Sequence, residues 1–302
     1  MADFGSFVDV FDHWAEAQPL KPFGSSRQVQ PERCAVCGPG EELSWLQLQE
    51  LSRAVASHVW AELQQLPAAE ASEAVALLSR RSGRWLAATV GLMRCGVPFV
   101  WMGGGEVSAR EKERQRNEEV MRLVAPRLVV RGPADPVVVP EAVASCRQLL
   151  LDQLLVPKAT APPPPAQALL CLQLTGGTTG SSKCVEVTHA MALHEVRAYR
   201  QTFPELGPED RVLQHTAVLW AASAIGQINI AVSFGACLVI SNSLDQQSVA
   251  NATVLGCVPS SLEALEPRAP LRFVFVWGEA LEPQRAARWR SFCRVVELLI
   301  RR

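Results

Sequence analysis

The sequence predicts an α/β fold with mainly parallel sheets flanked by helices, and three observations carry that prediction. Short apolar runs alternate with longer amphipathic ones from about Cys34 onward, the order that parallel strands joined by crossover helices produce. Runs such as Val75-Ala76-Leu77-Leu78 are apolar at every position, as a strand covered on both faces must be. The chain has 302 residues, 48% apolar and 20% charged. That is enough to bury about three quarters of the unfolded chain's surface, and it excludes a disordered chain.

The elements follow in order. Cys34 to Cys37 reads as a short strand that turns at Gly38-Pro39-Gly40 into Leu43-Ser44-Trp45. Ser44 and Gln47 have the spacing of a capping box, and Leu48, Leu51, Val55, Val59, Leu63 and Leu66 then recur at helical spacing. The strand at Val75 to Leu78 is followed by a helix from about Gly83 to Cys95, which Gly96 ends. Val97 to Trp101 is a strand, Gly103-Gly104-Gly105 opens a charged helix to about Val124, and Leu128 to Val130 is a strand. The charge run Glu111 to Glu119 is the solvated face of that helix. Leu149 to Leu151 is a further strand, and Pro162 to Pro165 form a stiff connector. A seam there divides the chain into a first α/β subdomain, residues 1–165, and a second, residues 166–302.

In the second part Leu169 to Leu174 reads as a strand, followed by a Gly-, Thr- and Ser-rich loop and a strand at Cys184 to Val187. Thr188 can cap a helix that reaches about Phe203. Strands are expected at Arg211 to Leu213, Cys237 to Ile240, Thr253 to Cys257, Leu271 to Val276 and Val295 to Leu298, with a helix from Ser223 to Phe234. No internal repeat is visible.

Charge and composition exclude several functions. Twenty-nine basic against thirty acidic residues give a net charge of −1, and no basic stripe marks a nucleic-acid binder. Met1 to Trp14 has three aspartates and no basic residue, unlike a secretory signal. Val212 to Leu244 is 33 residues without Asp, Glu, Lys or Arg. Gln214, His215, Gln227 and Asn229 would be costly in lipid, so a buried helix and strand is expected there rather than a membrane span. Nine scattered cysteines and the missing signal point to reduced thiols and a cytoplasmic location. Cys34-Ala-Val-Cys37 looks like half a zinc knuckle but lacks two ligands; a plain strand is the expectation. His194 and His215 have no assignable partner and read as surface or structural residues.

The segment that carries chemistry is the loop between the strands at 169–174 and 184–187. It reads Thr175, Gly176, Gly177, Thr178, Thr179, Gly180, Ser181, Ser182, Lys183. Three glycines let backbone N–H groups approach a ligand, the hydroxyls add donors, and Lys183 adds a positive charge. Such a loop is suited to a polyphosphate. It is not a Walker A loop, because Lys183 is followed by Cys184 and a strand rather than by Ser or Thr and a helix.

Leu174 to Val185 resembles the phosphate-loop signature of the adenylate-forming enzymes: acyl-CoA synthetases, nonribosomal peptide synthetase adenylation domains and luciferases. The family usually reads Thr-Ser-Gly-Thr-Thr-Gly-x-Pro-Lys-Gly. Thr175, Gly177, Thr178, Thr179, Gly180 and Lys183 match it; Gly176, Ser182 and Cys184 depart from it. His189 stands where the family often has a histidine. Leu43 to Val59, Gly91 to Val100 and Leu271 to Trp289, with Gly278-Glu279-Ala280-Leu281, are similar to further family segments in the same order.

The resemblance implies the subdomains of the N-terminal part of that fold and a ligase that joins a carboxylic acid to ATP, releasing pyrophosphate. The acyl group then passes to a thiol, that of coenzyme A or of a carrier protein's phosphopantetheine, so an acyl carrier domain is an implied partner. Thr175 to Lys183 would hold the pyrophosphate end, assisted by Mg²⁺. Gly278, Glu279 and Ala280 would contact adenine, and Ala222, Ser223 and Gln227 would line the acid pocket. The family continues to a Tyr-Gly-x-Thr-Glu motif, a ribose-binding aspartate and a C-terminal domain with a catalytic lysine, whereas this sequence ends at Ile300-Arg301-Arg302. The expectation is a truncated fragment that adenylates poorly alone; the alternative is a non-catalytic nucleotide-binding or interaction module. Leu219 to Ser223 contains no carboxylate, where amino-acid-activating members place an aspartate, so an acid without an amine is expected.

Overall fold

The computed structural model describes residues 4–17, 33–38, 40–67, 73–106, 109–157, 169–175, 182–267 and 270–298. In chain order they form α1 (Phe7–Glu16), β1 (Cys34–Gly38), β2 (Glu41–Ser44), α2 (Trp45–Leu63), β3 (Val75–Ser79), α3 (Gly83–Arg94), β4 (Phe99–Gly103), α4 (Arg110–Leu123), β5 (Leu128–Arg131), β6 (Arg147–Leu150) and α5 (Leu151–Leu154). There follow β7 (Leu169–Thr175), β8 (Lys183–Thr188), α6 (His189–Thr202), β9 (Arg211–Gln214), α7 (Ala221–Phe234), β10 (Cys237–Ile240), α8 (Gln246–Val249), β11 (Val254–Cys257), β12 (Phe273–Val276), α9 (Pro283–Arg290) and β13 (Arg294–Glu297).

Two sheets result, and the predicted α/β class with mainly parallel strands is the one observed. One sheet has the order β13-β12-β11-β9-β10-β1-β2 and the other β6-β5-β3-β4-β7-β8. Within each, every neighbouring pair is parallel except the last, where β1–β2 and β7–β8 are antiparallel hairpins. Strand membership does not follow chain order; residues 162–165, where the seam is expected, lie outside the described residues. β1 and β2 sit in the sheet built by the later strands, and β7 and β8 sit in the sheet built by the earlier ones.

The all-apolar strands are explained by burial on both faces. Val75 and Leu77 of β3 face the large central core between the sheets, with Trp85, Phe99 and Trp101. Ala76 and Leu78 face an outer core with Val120 and Val124 at the end of α4. The second outer core lies on the other sheet and packs Leu213, Val239, Leu255 and Val274 against the fully buried Trp289. Helix starts follow the capping chemistry. Ser44 Oγ accepts from Gln47 N at 3.2 Å while Gln47 Oε1 accepts from Ser44 N at 2.9 Å. Thr188 Oγ1 accepts from Met191 N at 3.2 Å. Each such cap contributes about 1 kcal/mol.

Two local readings are corrected. Phe7, Val8, Val10 and Phe11 form an amphipathic helix, α1, that had no place in the sequence reading; all four are buried against the central core. The glycine run does not open a helix. Gly103 ends β4 and the helix begins at Arg110. Gly104 is needed for contact instead, since a Cβ there would lie 2.1 Å from the backbone nitrogen of Arg80. The apolar stretch from Val212 to Leu244 is divided among β9, α7 and β10. No helix among the described residues is long and apolar enough to cross a membrane.

Candidate functional site

In a parallel sheet every strand delivers its carboxyl end to the same edge, and the crevice beyond that edge is where ligands bind. Here both sheets contribute to one such crevice, a cavity of about 1530 Å³. From the larger sheet come His215 and Thr216 after β9, Asn242 to Leu244 after β10, Val258 after β11, Trp277 to Glu279 after β12, and Leu298 after β13. From the smaller sheet come Arg80 after β3 and Gly105 and Glu106 after β4. Helix α6 supplies Glu195, Ala198, Tyr199 and Thr202, one stripe at helical spacing, and α7 supplies Ser223 and Gly226.

A buried ion pair lies at the ends of β3 and β4 beside this cavity, and its arginine reaches across to the other sheet. Arg81 donates to both oxygens of Glu106, from Nη2 at 2.7 Å to Oε2 and from Nε to Oε1. Its Nη1 donates at 2.8 Å to Gln214 Oε1, at the end of β9. Gln214 and Gln227 continue the network. Gln227 Nε2 donates to Thr216 Oγ1 at 2.9 Å and to the Gly256 carbonyl at 2.8 Å, and Gln214 Nε2 donates to the Thr216 carbonyl at 2.8 Å. The polar side chains that would be expensive unpaired in a core are thus partnered, and they fix the loop after β9. The His215 ring meets the Gly256 carbonyl at 3.0 Å. Burial pushes its pKa down to about 4, with the Arg81 charge adding to the shift, so His215 is a neutral wall of the cavity.

The stretch Trp277-Gly278-Glu279 closes the far side. Trp277 Nε1 donates to Ser223 Oγ at 2.9 Å, which ties the end of β12 to α7. Gly256 makes room for that indole, because a Cβ there would lie 2.3 Å from Trp277 Cη2. Gly278 has φ +83°, and Glu279 accepts from Ser260 N at 3.0 Å. Those bonds from Ser260 hold the Glu279 carboxyl below its ordinary range. On the α6 wall the Glu195 carboxyl behaves oppositely. Burial raises its pKa, while donors on Asn229 and Tyr199 pull it partly back; the Asn229 Nδ2 bond is 2.6 Å.

The residues singled out in the sequence are distributed as follows. Gly278, Glu279 and Ser223 line the cavity, and Ala280 follows them as an exposed residue outside the lining. Ala222 lies in the first turn of α7. Gln227 is buried one layer below the cavity, in the network around Thr216. Thr175 and Lys183 are register partners at the mouth of the β7–β8 hairpin. Gly176, Gly177, Thr178, Thr179, Gly180 and Ser181 lie outside the described residues. Ser182 is anchored to α4: its Oγ donates to Glu119 Oε2 at 2.7 Å and accepts from Arg116 Nη1 at 2.8 Å. Among the described residues no group of three or more His, Cys, Asp or Glu side chains could hold a metal ion.

Sequence reasoning missed Arg81, Glu106, Glu195 and Trp277. Only Glu195 and Trp277 had a signal: Glu195 shares a helical face with Tyr199 and Thr202, and Trp277 directly precedes Gly278. Arg81, Glu106 and Gln214 meet across 25 and 133 residues of chain, a separation that no local pattern encodes.

With this geometry in hand, the comparisons with known proteins agree. The profile of the AMP-binding enzyme family matches residues 23–299, and the chain belongs to that family. It is 28% identical over 283 residues to phenyloxazoline synthase MbtB of Mycobacterium tuberculosis, covering 88% of this chain and 19% of that protein. It is 27% identical over 293 residues to the nonribosomal peptide synthetase criC of Aspergillus cristatus, covering 92% of this chain and 13% of that one. The chain thus spans less than a fifth of the length of these two relatives. The N-terminal subdomain of Klebsiella oxytoca NpsA, solved with 3-hydroxyanthranilyl-AMSN, superposes with a TM-score of 0.72 at 19% identity, over 97% of this chain and 72% of that one. That likeness shows the fold alone.

Proposed function

We propose that this chain provides the ATP- and acid-binding part of an adenylate-forming ligase of the nonribosomal peptide synthetase kind. The reaction joins a carboxylic acid to ATP: a carboxylate oxygen attacks the α-phosphorus, an acyl-phosphate anhydride forms, and pyrophosphate leaves. The acyl group then passes to a thiol, for which the relatives favour a carrier-protein phosphopantetheine over coenzyme A. The observation that carries this reading is a cavity shared by the carboxyl ends of both mainly parallel sheets, bounded by the Trp277-Gly278-Glu279 turn.

Within that reading each wall has a task. The turn after β12 seats the adenine, with Trp277 and Val258 supplying apolar surface. The hairpin loop from Thr175 to Lys183 holds the phosphates, and cations at Arg80 and Lys112 face the same cavity. Donors placed where charge develops lower the barrier more than equivalent groups in water, because they need no reorganisation. The acid lies between α6 and α7, where Gly226 leaves open space and Glu195 presents a half-buried carboxyl. Glu195 thus supplies from α6 the acidic group that Leu219 to Ser223 lacks. An acid bearing an amine or hydroxyl donor fits this wall better than the amine-free acid expected from the sequence.

The test is acid-dependent exchange of labelled pyrophosphate into ATP, run on the longest native form of the protein with a panel of amino and hydroxy acids. Exchange that requires one acid of the panel and is lost in Lys183→Ala is the expected result. Exchange in no case, with ATP still bound, would favour a nucleotide-binding module.

A further inference from the structure

Three of the nine cysteines meet on the larger sheet, far along the strands from the cavity. Cys34 and Cys37 lie on β1 and Cys237 on the adjacent β10, which runs parallel with Val36 opposite Leu238. Residues three apart on a regular strand point to opposite faces. A register irregularity between Cys34 and Val36 changes that, as bulges do, and both β1 cysteines pack against the outer core that contains Cys237. The sulfurs of Cys34 and Cys237 are 3.1 Å apart. Arg211, the register partner of Cys237 on β9, donates from Nη2 to Cys37 Sγ at 3.2 Å. Of the other six thiols, Cys257 and Cys293 share this outer core, while Cys184 is exposed, Cys146 is half-buried, and Cys95 and Cys171 are buried.

From this arrangement we infer that the cluster is a peroxide-oxidisable dithiol in which Cys34 and Cys237 form a disulfide that staples β1 to β10. Cys34 and Cys37 are half-buried and Cys237 is buried, so of the contacting pair the oxidant meets Cys34 first. The Cys34 sulfur attacks hydrogen peroxide, the O–O bond breaks, and a sulfenic acid and one water form. Cys237 then displaces hydroxide from that sulfur, which leaves as a second water with the Cys237 proton. Two thiols are oxidised, one peroxide is reduced, and atoms balance. Hydrogen bonds from the Cys237 and Cys34 thiols and the charge of the Arg211 guanidinium lower the pKa of Cys37, the third sulfur of the cluster. The Cys34 proton passes to the departing hydroxide, whose negative charge the Arg211 guanidinium stabilises. The existing contact distance leaves about 1 Å to close to a covalent S–S bond.

The experiment treats the full chain with a few equivalents of hydrogen peroxide, blocks remaining thiols with N-ethylmaleimide, and maps cysteines by peptide mass spectrometry. The expected result is a Cys34–Cys237 linked peptide that dithiothreitol reverses, with the other cysteines recovered as maleimide adducts. The link should vanish when the chain is unfolded in urea before oxidation, and Arg211→Gln should slow its formation about tenfold. Cys34→Ser, a near-isosteric change at a half-buried site, should leave Cys237 unlinked. Recovery of Cys34 and Cys237 as adducts or as sulfinic acids without a link would overturn the inference. So would equal cross-linking among the remaining cysteines, or a zinc ion retained in the native mass spectrum.

Discussion

At the level of single residues, the cavity wall is set by groups whose protonation is controlled by burial. His215 is the clearest case. An unfolded imidazole takes up a proton near its ordinary value of 6.5, whereas the folded one does so only near about 4. Between those values the unfolded chain holds more protons, so stability is full above pH 6.5 and falls as the solution is acidified toward 4. The loss from this one group approaches about 3 kcal/mol. Urea unfolding at pH 7.5, 6, 5 and 4.5 should show it, and His215→Gln should flatten that part of the profile. The sequence offered no partner for His215, because its acceptor, the Gly256 carbonyl, lies 41 residues on. The loop glycines and Lys183 were legible for the opposite reason: their signal is entirely local.

At the level of elements, most strands and helices were legible because burial on two faces leaves an apolar run, and capping leaves a short polar signature. α1 was not, because its apolar face begins within the first residues and packs onto partners more than a hundred residues away, such as His189, whose Nδ1 accepts from Phe7 N at 3.2 Å. The tie between β11 and β12 shows how one missing side chain shapes the site. Gly256→Ala would push a methyl group into the Trp277 indole. The indole must then leave its bond to Ser223 or strain the strand pair. A cost of about 1–3 kcal/mol is expected from such overpacking, read as a lower thermal midpoint. Trp277 fluorescence should shift to the red as the ring becomes exposed.

Across the whole molecule, the two sheets are held in register by Arg81. Its side chain is fully buried, and its partners Glu106 and Gln214 come from different sheets. Removing the guanidinium leaves a buried carboxylate unpaired, so Arg81→Ala should destabilise by about 3–5 kcal/mol. Arg81→Met combined with Glu106→Leu should recover most of that stability, because neither charge then remains uncompensated. The cavity should nevertheless lose its fixed shape in the double variant, since the anchor on Gln214 is gone. Thermal unfolding of the three proteins checks the first two statements, and ligand titration the third. The two-sheet closure itself was not legible in the sequence. Its Arg81–Gln214 bond spans 133 residues of chain, and β1–β2 and β7–β8 cross to opposite sheets.

The central claim is that the cavity beyond both sheets binds ATP, with Lys183 at the phosphates and the Gly278 turn at the adenine. Calorimetric titration of ATP into the native protein, alongside Lys183→Ala and Gly278→Val, tests it most directly. The account predicts one saturable site whose affinity falls about tenfold or more in each variant while the fold, judged by circular dichroism, is kept. A protein that binds no ATP, or binds it equally well in all three forms, would contradict it.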